Sequence, residues 1–461
     1  EYGLYNGLIA IATMMMSFAS LAMPAYIYKF YPYYKAHLPA KKSDMLTISL
    51  VAGLVGFLLV SLAAYLMRGL VIRKYSENSQ ELIDNYNLIY PLAFGLVMYT
   101  ILEAYTWQLR RSVLTNFLKE VLWRLFTTGL IILYMYGVIK DFNLFIRLFS
   151  FSFIFIAVVL LVYLITTGKL HFHFRISKVT RRFSKSIVRL LTFVYGGSVI
   201  FTVSQVFDSL LIASVVRDGM GNLGVYSVAQ NMAAVIQAPQ RGIVAASIPH
   251  LAEAWREKNM QRIQAIYQRS SINQLLFAGG LYCLLILNFT DAVETFKLKG
   301  AYLDAYYVVL FLGLCKVVDM GTGVNSQIIG TSTWWRFEMV SGVILLVLML
   351  PLSYIFTKQW GIIGTGAAQL VSISVYNVVR IVFLWKKFRL FPFTIHTIQA
   401  ILVAGACYAA CYFGLREIHG LAGLFIRSIA FIICYATAAI YLKLSPDIQP
   451  VLQSVKRRIR G

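Results

Sequence analysis

Five cations stand in stretches otherwise too apolar to hold them: Arg124, Arg241, Lys316, Arg380 and Arg427. A charge at the centre of a membrane-length segment costs at least ~2.5–3.5 kcal/mol to insert, so each must face a cavity or a partner. Their chemistry is anion binding. Arg grips the oxygens of phosphate or carboxylate in pairs, and Lys offers a compact point charge. Polar side chains recur beside two of them at helical spacing. Tyr226, Gln230, Gln237 and Arg241 form one stripe, and Gln369, Tyr376 and Arg380, with Asn377 adjacent, form another. Ser198, Thr202, Gln205 and Asp208 make a third stripe without a cation. Arg241, Lys316, Arg380, Arg124, Gln237 and Gln230 are therefore the candidate substrate-binding residues of a cationic cavity. The structural alternative is hydrogen-bonded contact between helices.

The carboxylates at depth are Glu103, Glu120, Asp208 and Asp319. Asp319 lies three residues after Lys316 and can neutralise it across one turn. Asp208 has no cation within its own turn; Arg241 is one partner it could find on another helix. Asp208, Asp319 and Glu103 are candidates for ion coupling or gating. Nothing suggests a catalytic group, and no metal site is expected: His171 and His173 fall in a basic loop, and the five cysteines lie in or beside apolar runs without zinc spacing. No GxxxxGK[ST] phosphate loop is present, so direct ATP use is not expected.

These residues are positioned by membrane helices. Of 461 residues, 59% are hydrophobic and 13% charged, far from the balance of a soluble domain. Apolar runs cover approximately 4–31, 45–67, 87–109, 112–139, 144–167, 190–216, 224–250, 264–290, 302–330, 335–357, 361–385, 393–415 and 421–444. Each is long enough to span a bilayer as a helix. The short alternating segments of a β-barrel are missing. The net charge of +23 sits mostly between the runs, which points to topology rather than nucleic acid.

The layout repeats. Gly3-Leu4-Tyr5 and Gly224-Val225-Tyr226 are 221 residues apart, and the same shift aligns four breaks between runs. Run 190–216 has no image under this shift, so a further helix ahead of residue 1 is expected. The predicted architecture is all-α and polytopic: two pseudo-symmetric six-helix bundles followed by two extra helices. Its parts are an N-lobe at 1–167, a basic amphipathic linker at 168–189, a C-lobe at 190–388, two extra helices at 389–445 and a basic tail at 446–461. Counted over alternate loops, Lys and Arg number 23 on one side and 9 on the other. The richer side, with the tail, is expected to be cytoplasmic.

The stretches LGVYSVAQNMAAVIQAPQRGI…PHLAEAWREKN, EYGLYN at the start and GIIGTGAAQLVS at 361–372 resemble the polysaccharide flippase (Wzx-like) branch of the multidrug/oligosaccharidyl-lipid/polysaccharide exporter superfamily. The resemblance implies alternating access in a bacterial cytoplasmic (inner) membrane. It implies transfer of an undecaprenyl-diphosphate-linked oligosaccharide to the outer leaflet, with a cationic cavity filled here by Arg241, Lys316 and Arg380. It also implies that the chain is not an enzyme. The expected partners are that lipid-linked oligosaccharide, membrane lipids and polysaccharide polymerase machinery, with no nucleic acid and a monomeric chain. No cofactor is expected, and coupling to H+ or Na+ stays open. Asp208 matches, by helix only, the sodium-site Asp on the seventh helix of lipid II flippases. The chain departs from those relatives in having no Arg in run 4–31. A small-solute or drug exporter of the same superfamily is the alternative. A membrane glycosyltransferase or polymerase acting on the same lipid comes after it.

Overall fold

A computed structural model of the chain describes residues 2–447 except 110, 298–299, 304 and 335. At some helical positions, Arg241 and Gln205 among them, the side chain also lies outside the described residues. All thirteen apolar runs fold as helix, and the described residues contain no strand. Eight helices among them are long and apolar enough to cross a membrane, nine if one bent pair counts as a span. The protein is a multi-pass, all-α membrane protein. It divides into two compact units, Glu1–Gly224 and Val225–Gly461.

In the first unit, α1 (Tyr2–Ala19) and α2 (Met23–His37) share one apolar run. They part where Leu21 and Ala22 take left-handed φ of 48° and 55°. Pro24 then opens α2, where its missing N–H has no helical partner to lose. Next come α3 (Met45–Leu66), α4 (Arg68–Tyr75), α5 (Gln80–Asp84) and α6 (Ile89–Gln108). The centre is α6, which packs against α1, α2, α3 and, beyond it, α10. After α7 (Ser112–Phe117) a π-helical turn at Leu118–Leu122 leads into α8 (Trp123–Met135). The unit continues through α9 (Phe142–Ser150), α10 (Ser152–Thr166), α11 (Lys178–Val215) and the start of α12 (Gly219–Ile236).

The structure joins what the sequence reading divides. Most of the linker and run 190–216 are one helix, α11, packed on α1 and α2. No proline or glycine interrupts residues 178–195, so nothing stops the helix at the membrane surface. Its start is fixed by Asp44, which is almost wholly buried. The Asp44 carboxylate accepts from the Ser177 backbone N–H at 2.8 Å and the Thr180 hydroxyl at 2.7 Å. The two glycines that mark the sequence repeat, Gly3 and Gly224, lie against each other, and a Cβ on Gly3 would be 1.7 Å from the Met220 carbonyl oxygen.

The second unit holds α13 (Gln240–Arg256), α14 (Met260–Thr295), α15 (Ala305–Gly321), α16 (Asn325–Thr331), α17 (Arg336–Phe388), α18 (Ile395–Gly414) and α19 (Gly420–Tyr441). Continuous only in outline, α17 turns at Gly361, whose φ of 60° and ψ of −141° leave the helical region. The two limbs run back along each other. Thr357 and Thr365 hydroxyls lie 2.7 Å apart, and the Phe337 and Phe383 rings stack at 3.7 Å. Gly364 allows this approach: a Cβ there would sit 2.0 Å from the Phe356 carbonyl oxygen.

Because that clash is with backbone, no side-chain rotation relieves it. Overpacking of this kind costs about 1–3 kcal/mol. Gly364→Ala should lower the melting temperature of the purified protein by several degrees. An unchanged melting curve would contradict the hairpin packing.

Candidate functional site

The second unit contains a continuous polar network in an apolar interior. It starts at Gln237, in the turn between α12 and α13 that Pro239 ends. The Gln237 amide donates to Asp319 Oδ2 at 3.4 Å. Asp319 Oδ1 accepts from Asn377 Nδ2 at 3.0 Å. The Asn377 carbonyl oxygen in turn accepts from Thr322 at 3.0 Å and from Asn325 at 2.8 Å. Asn325 Oδ1 faces Arg380 Nη1 at 3.4 Å. Thr322, Asn325, Asn377 and Arg380 are all buried. α15 bends by 45° into α16 around residues 322–324, which aims Thr322 and Asn325 at the second limb of α17.

Arg380 ends the network, fully engaged. Its guanidinium pairs with Glu338 on the first limb of α17 and donates to Ser341 Oγ at 3.2 Å. Its Cζ lies 3.9 Å from the Tyr376 ring centroid, a cation–π contact across one turn. Ser326 donates to the same Glu338 at 2.6 Å. The stripe Tyr376–Arg380 is thus one working face, and Asn377 beside it belongs to the network.

The other sequence-predicted cations are used differently. Lys316 is half-buried on α15, one turn from Asp319. The expected Lys316–Asp319 pair does not form, because the Gln237 and Asn377 amides occupy the two Asp319 oxygens. Among the described residues no carboxylate lies within ion-pair distance of Lys316. Arg427 is buried against Asp291, which joins α19 to α14. Arg124 pairs at 2.8 Å with Glu120 one turn away, both largely exposed. Arg241 falls within α13, and its side chain lies outside the described residues.

Of the remaining candidates, Gln230 is half-buried on α12. Asp208 is buried on α11 and makes a polar or electrostatic contact there. Glu103 is buried on α6 within electrostatic reach of Lys119. Among the described residues no group of three or more His, Cys, Asp or Glu is placed to hold a metal. Sequence reasoning missed Glu338, Ser341, Thr322 and Asn325. Glu338 carried one usable signal: it is an acid at the head of an apolar run, where a carboxylate needs a partner.

Removing one partner of a buried ion pair costs about 3–5 kcal/mol, because the other charge is left unpaired. Arg380→Ala and Glu338→Ala should each lower the melting temperature sharply. The double variant should lose clearly less than the two losses added. Strict additivity would show that the two charges do not interact.

Residues 1–255 match the family described as polysaccharide biosynthesis protein. No curated protein sequence gives a significant match. Among solved structures, the chain is similar to the lipid II flippase MurJ in an inward closed conformation, at 15% identity over 96% of each chain and a TM-score of 0.65. It is equally similar to an inward-facing multidrug resistance MATE family transporter of the MOP superfamily. There the identity is 15%, over 84% of this chain and 89% of the other, with a TM-score of 0.64. Identities this low speak to fold alone. With more than half its length matched, the chain belongs to the polysaccharide biosynthesis protein family.

Proposed function

We propose that the chain flips an undecaprenyl-diphosphate-linked oligosaccharide from the cytoplasmic to the outer leaflet by alternating access. One observation carries this reading: Lys316 is a half-buried cation with no carboxylate partner among the described residues, whereas Arg380 and Arg427 are neutralised. A diphosphate head group needs such an uncompensated positive charge in a weakly solvated place. Gln237 and Gln230 extend the contacts to neutral donors, as a sugar hydroxyl requires. Family membership supports the same substrate class. The excess of loop cations supports placing the tail in the cytoplasm of a bacterial inner membrane.

Asp319 suits coupling. It is held by two amides rather than by a cation, so a proton or Na+ can neutralise it without displacing an arginine. The same feature favours a second reading, export of a cationic solute, which would place the cation at Asp319.

The two readings separate in proteoliposomes carrying a fluorescent undecaprenyl-diphosphate oligosaccharide. Wild type should exchange the lipid between leaflets, and Lys316→Ala should slow exchange at least about tenfold, the scale of a lost charge-assisted contact. Lys316→Arg should retain most of the exchange. Asp319→Asn should remove any dependence on a proton or sodium gradient. No exchange by wild type, with gradient-driven uptake of a cationic dye that Asp319→Asn abolishes, would replace the flippase with the exporter.

A further inference from the structure

α14 and α19 lie antiparallel. They are stapled by Asp291–Arg427 towards one end and by the Tyr435 hydroxyl on the Leu276 carbonyl, at 3.0 Å, further along. Between them runs a groove of about 540 Å³. Its walls are apolar, with Phe277, Leu281, Leu284, Phe431 and Ile440 among them. Phe277 and Ile432 are more than half exposed, so the groove opens outwards. One end alone is polar. There Arg269 donates to Asp447 through Nε at 2.6 Å and through Nη2, a two-pronged grip. Asn273 Nδ2 donates to the same carboxylate at 2.5 Å, and Ser445 bonds Asn273.

This end is a formed anion site, and its occupant is the chain's own carboxylate. Arg269 holds the Asp447 carboxyl below its ordinary range, so it is an anion throughout neutral pH. Asp447 is not part of a helix. It follows the end of α19 by six residues, after Lys443 has taken a left-handed φ of 50°. A carboxylate and a phosphate present the same pair of oxygens to a guanidinium. An apolar trough ending at an arginine fork and an amide complements a molecule with a hydrocarbon chain and a phosphate head.

We propose that Arg269 and Asn273 bind the phosphate of an anionic bilayer phospholipid, with one acyl chain in the α14–α19 groove, and that Asp447 competes for the same place. The stretch Ser445–Asp447 is then an internal plug on a lipid site. This holds whatever solute the protein moves, and it involves none of the network around Asp319.

The test uses full-length protein in detergent, titrated with phosphatidylglycerol or phosphatidylcholine, with melting temperature and lipid retained in native mass spectra as readouts. Wild type should be stabilised more by phosphatidylglycerol. Asp447→Ala should reach half-saturation at a concentration at least threefold lower, because the competitor is gone. Arg269→Gln should abolish the preference between the two lipids. Ala436→Trp, at an exposed position on the groove wall away from the polar end, should reduce lipid retention in the spectra. Equal responses to both lipids in wild type and in Asp447→Ala would overturn the site. Loss of the preference in Asp447→Ala would overturn the competition, making Asp447 part of the support for Arg269. A preference shown only for a polyprenyl phosphate would overturn the assignment to a bilayer phospholipid.

Discussion

Charge inside a low-dielectric interior must be answered by opposite charge or by hydrogen bonds, and the second unit is arranged around that constraint. Arg380 cannot be buried without Glu338, and the two lie on opposite limbs of one helical hairpin. Their pairing therefore fixes the register of the hairpin as well as the charge. Ser341 and Asn325 add contacts to the guanidinium, and Ser326 donates to the Glu338 oxygen that Arg380 holds. Arg427 and Asp291 do the same between α19 and α14, attaching the C-terminal helices to the unit. Neither arginine is available to a ligand unless its partner moves.

Backbone breaks supply what straight helices cannot. Gly361 reverses α17 so that Glu338 and Arg380 meet. The bend from α15 to α16 turns Thr322 and Asn325 inwards to bond Asn377. Side chains meet the backbone groups that the bend frees: Ser270 Oγ accepts from the Val324 N–H, Ser271 donates to the Gly321 carbonyl and Thr322 to the Asp319 carbonyl. The break before α13 leaves Gln237 outside regular helix, within reach of Asp319. A broken helix at membrane depth is tolerated where protein groups satisfy the freed polar atoms. The polar network thus sits beside the α15–α16 bend, whose backbone is satisfied largely by Ser270 and Ser271 of α14.

Much of this was legible in the sequence, and the rest failed for a consistent reason. Helical spacing identified Arg380 with Tyr376 and Asn377, because neighbours on one helix face follow from the 3.6-residue period alone. Apolar run length identified every described span. The partner Glu338 was not legible, since 42 residues separate it from Arg380 and only the hairpin brings them together. Nor was the continuity of α11 legible, because a basic amphipathic segment followed by an apolar one reads as two elements until the absence of a breaker is weighed. Local patterns were readable, and contacts made through a turn were not.

Lys316 and Asp319 show how tertiary structure overrides a local rule with functional effect. Three residues apart on one helix, they meet the spacing for an ion pair worth a few tenths of a kcal/mol when exposed. Two amides from other elements instead hold the half-buried Asp319, and hydrogen bonds to a charged group are worth ~1.5–3 kcal/mol each. The stronger contacts prevail, and Lys316 keeps a charge that no carboxylate among the described residues compensates. The fold is shared by lipid and drug transporters at 15% identity, so it does not choose the substrate. That choice rests on a few interior side chains. In this chain the amides of Gln237 and Asn377 hold Asp319, and the proposed anion site rests on Lys316 having no carboxylate within ion-pair distance among the described residues.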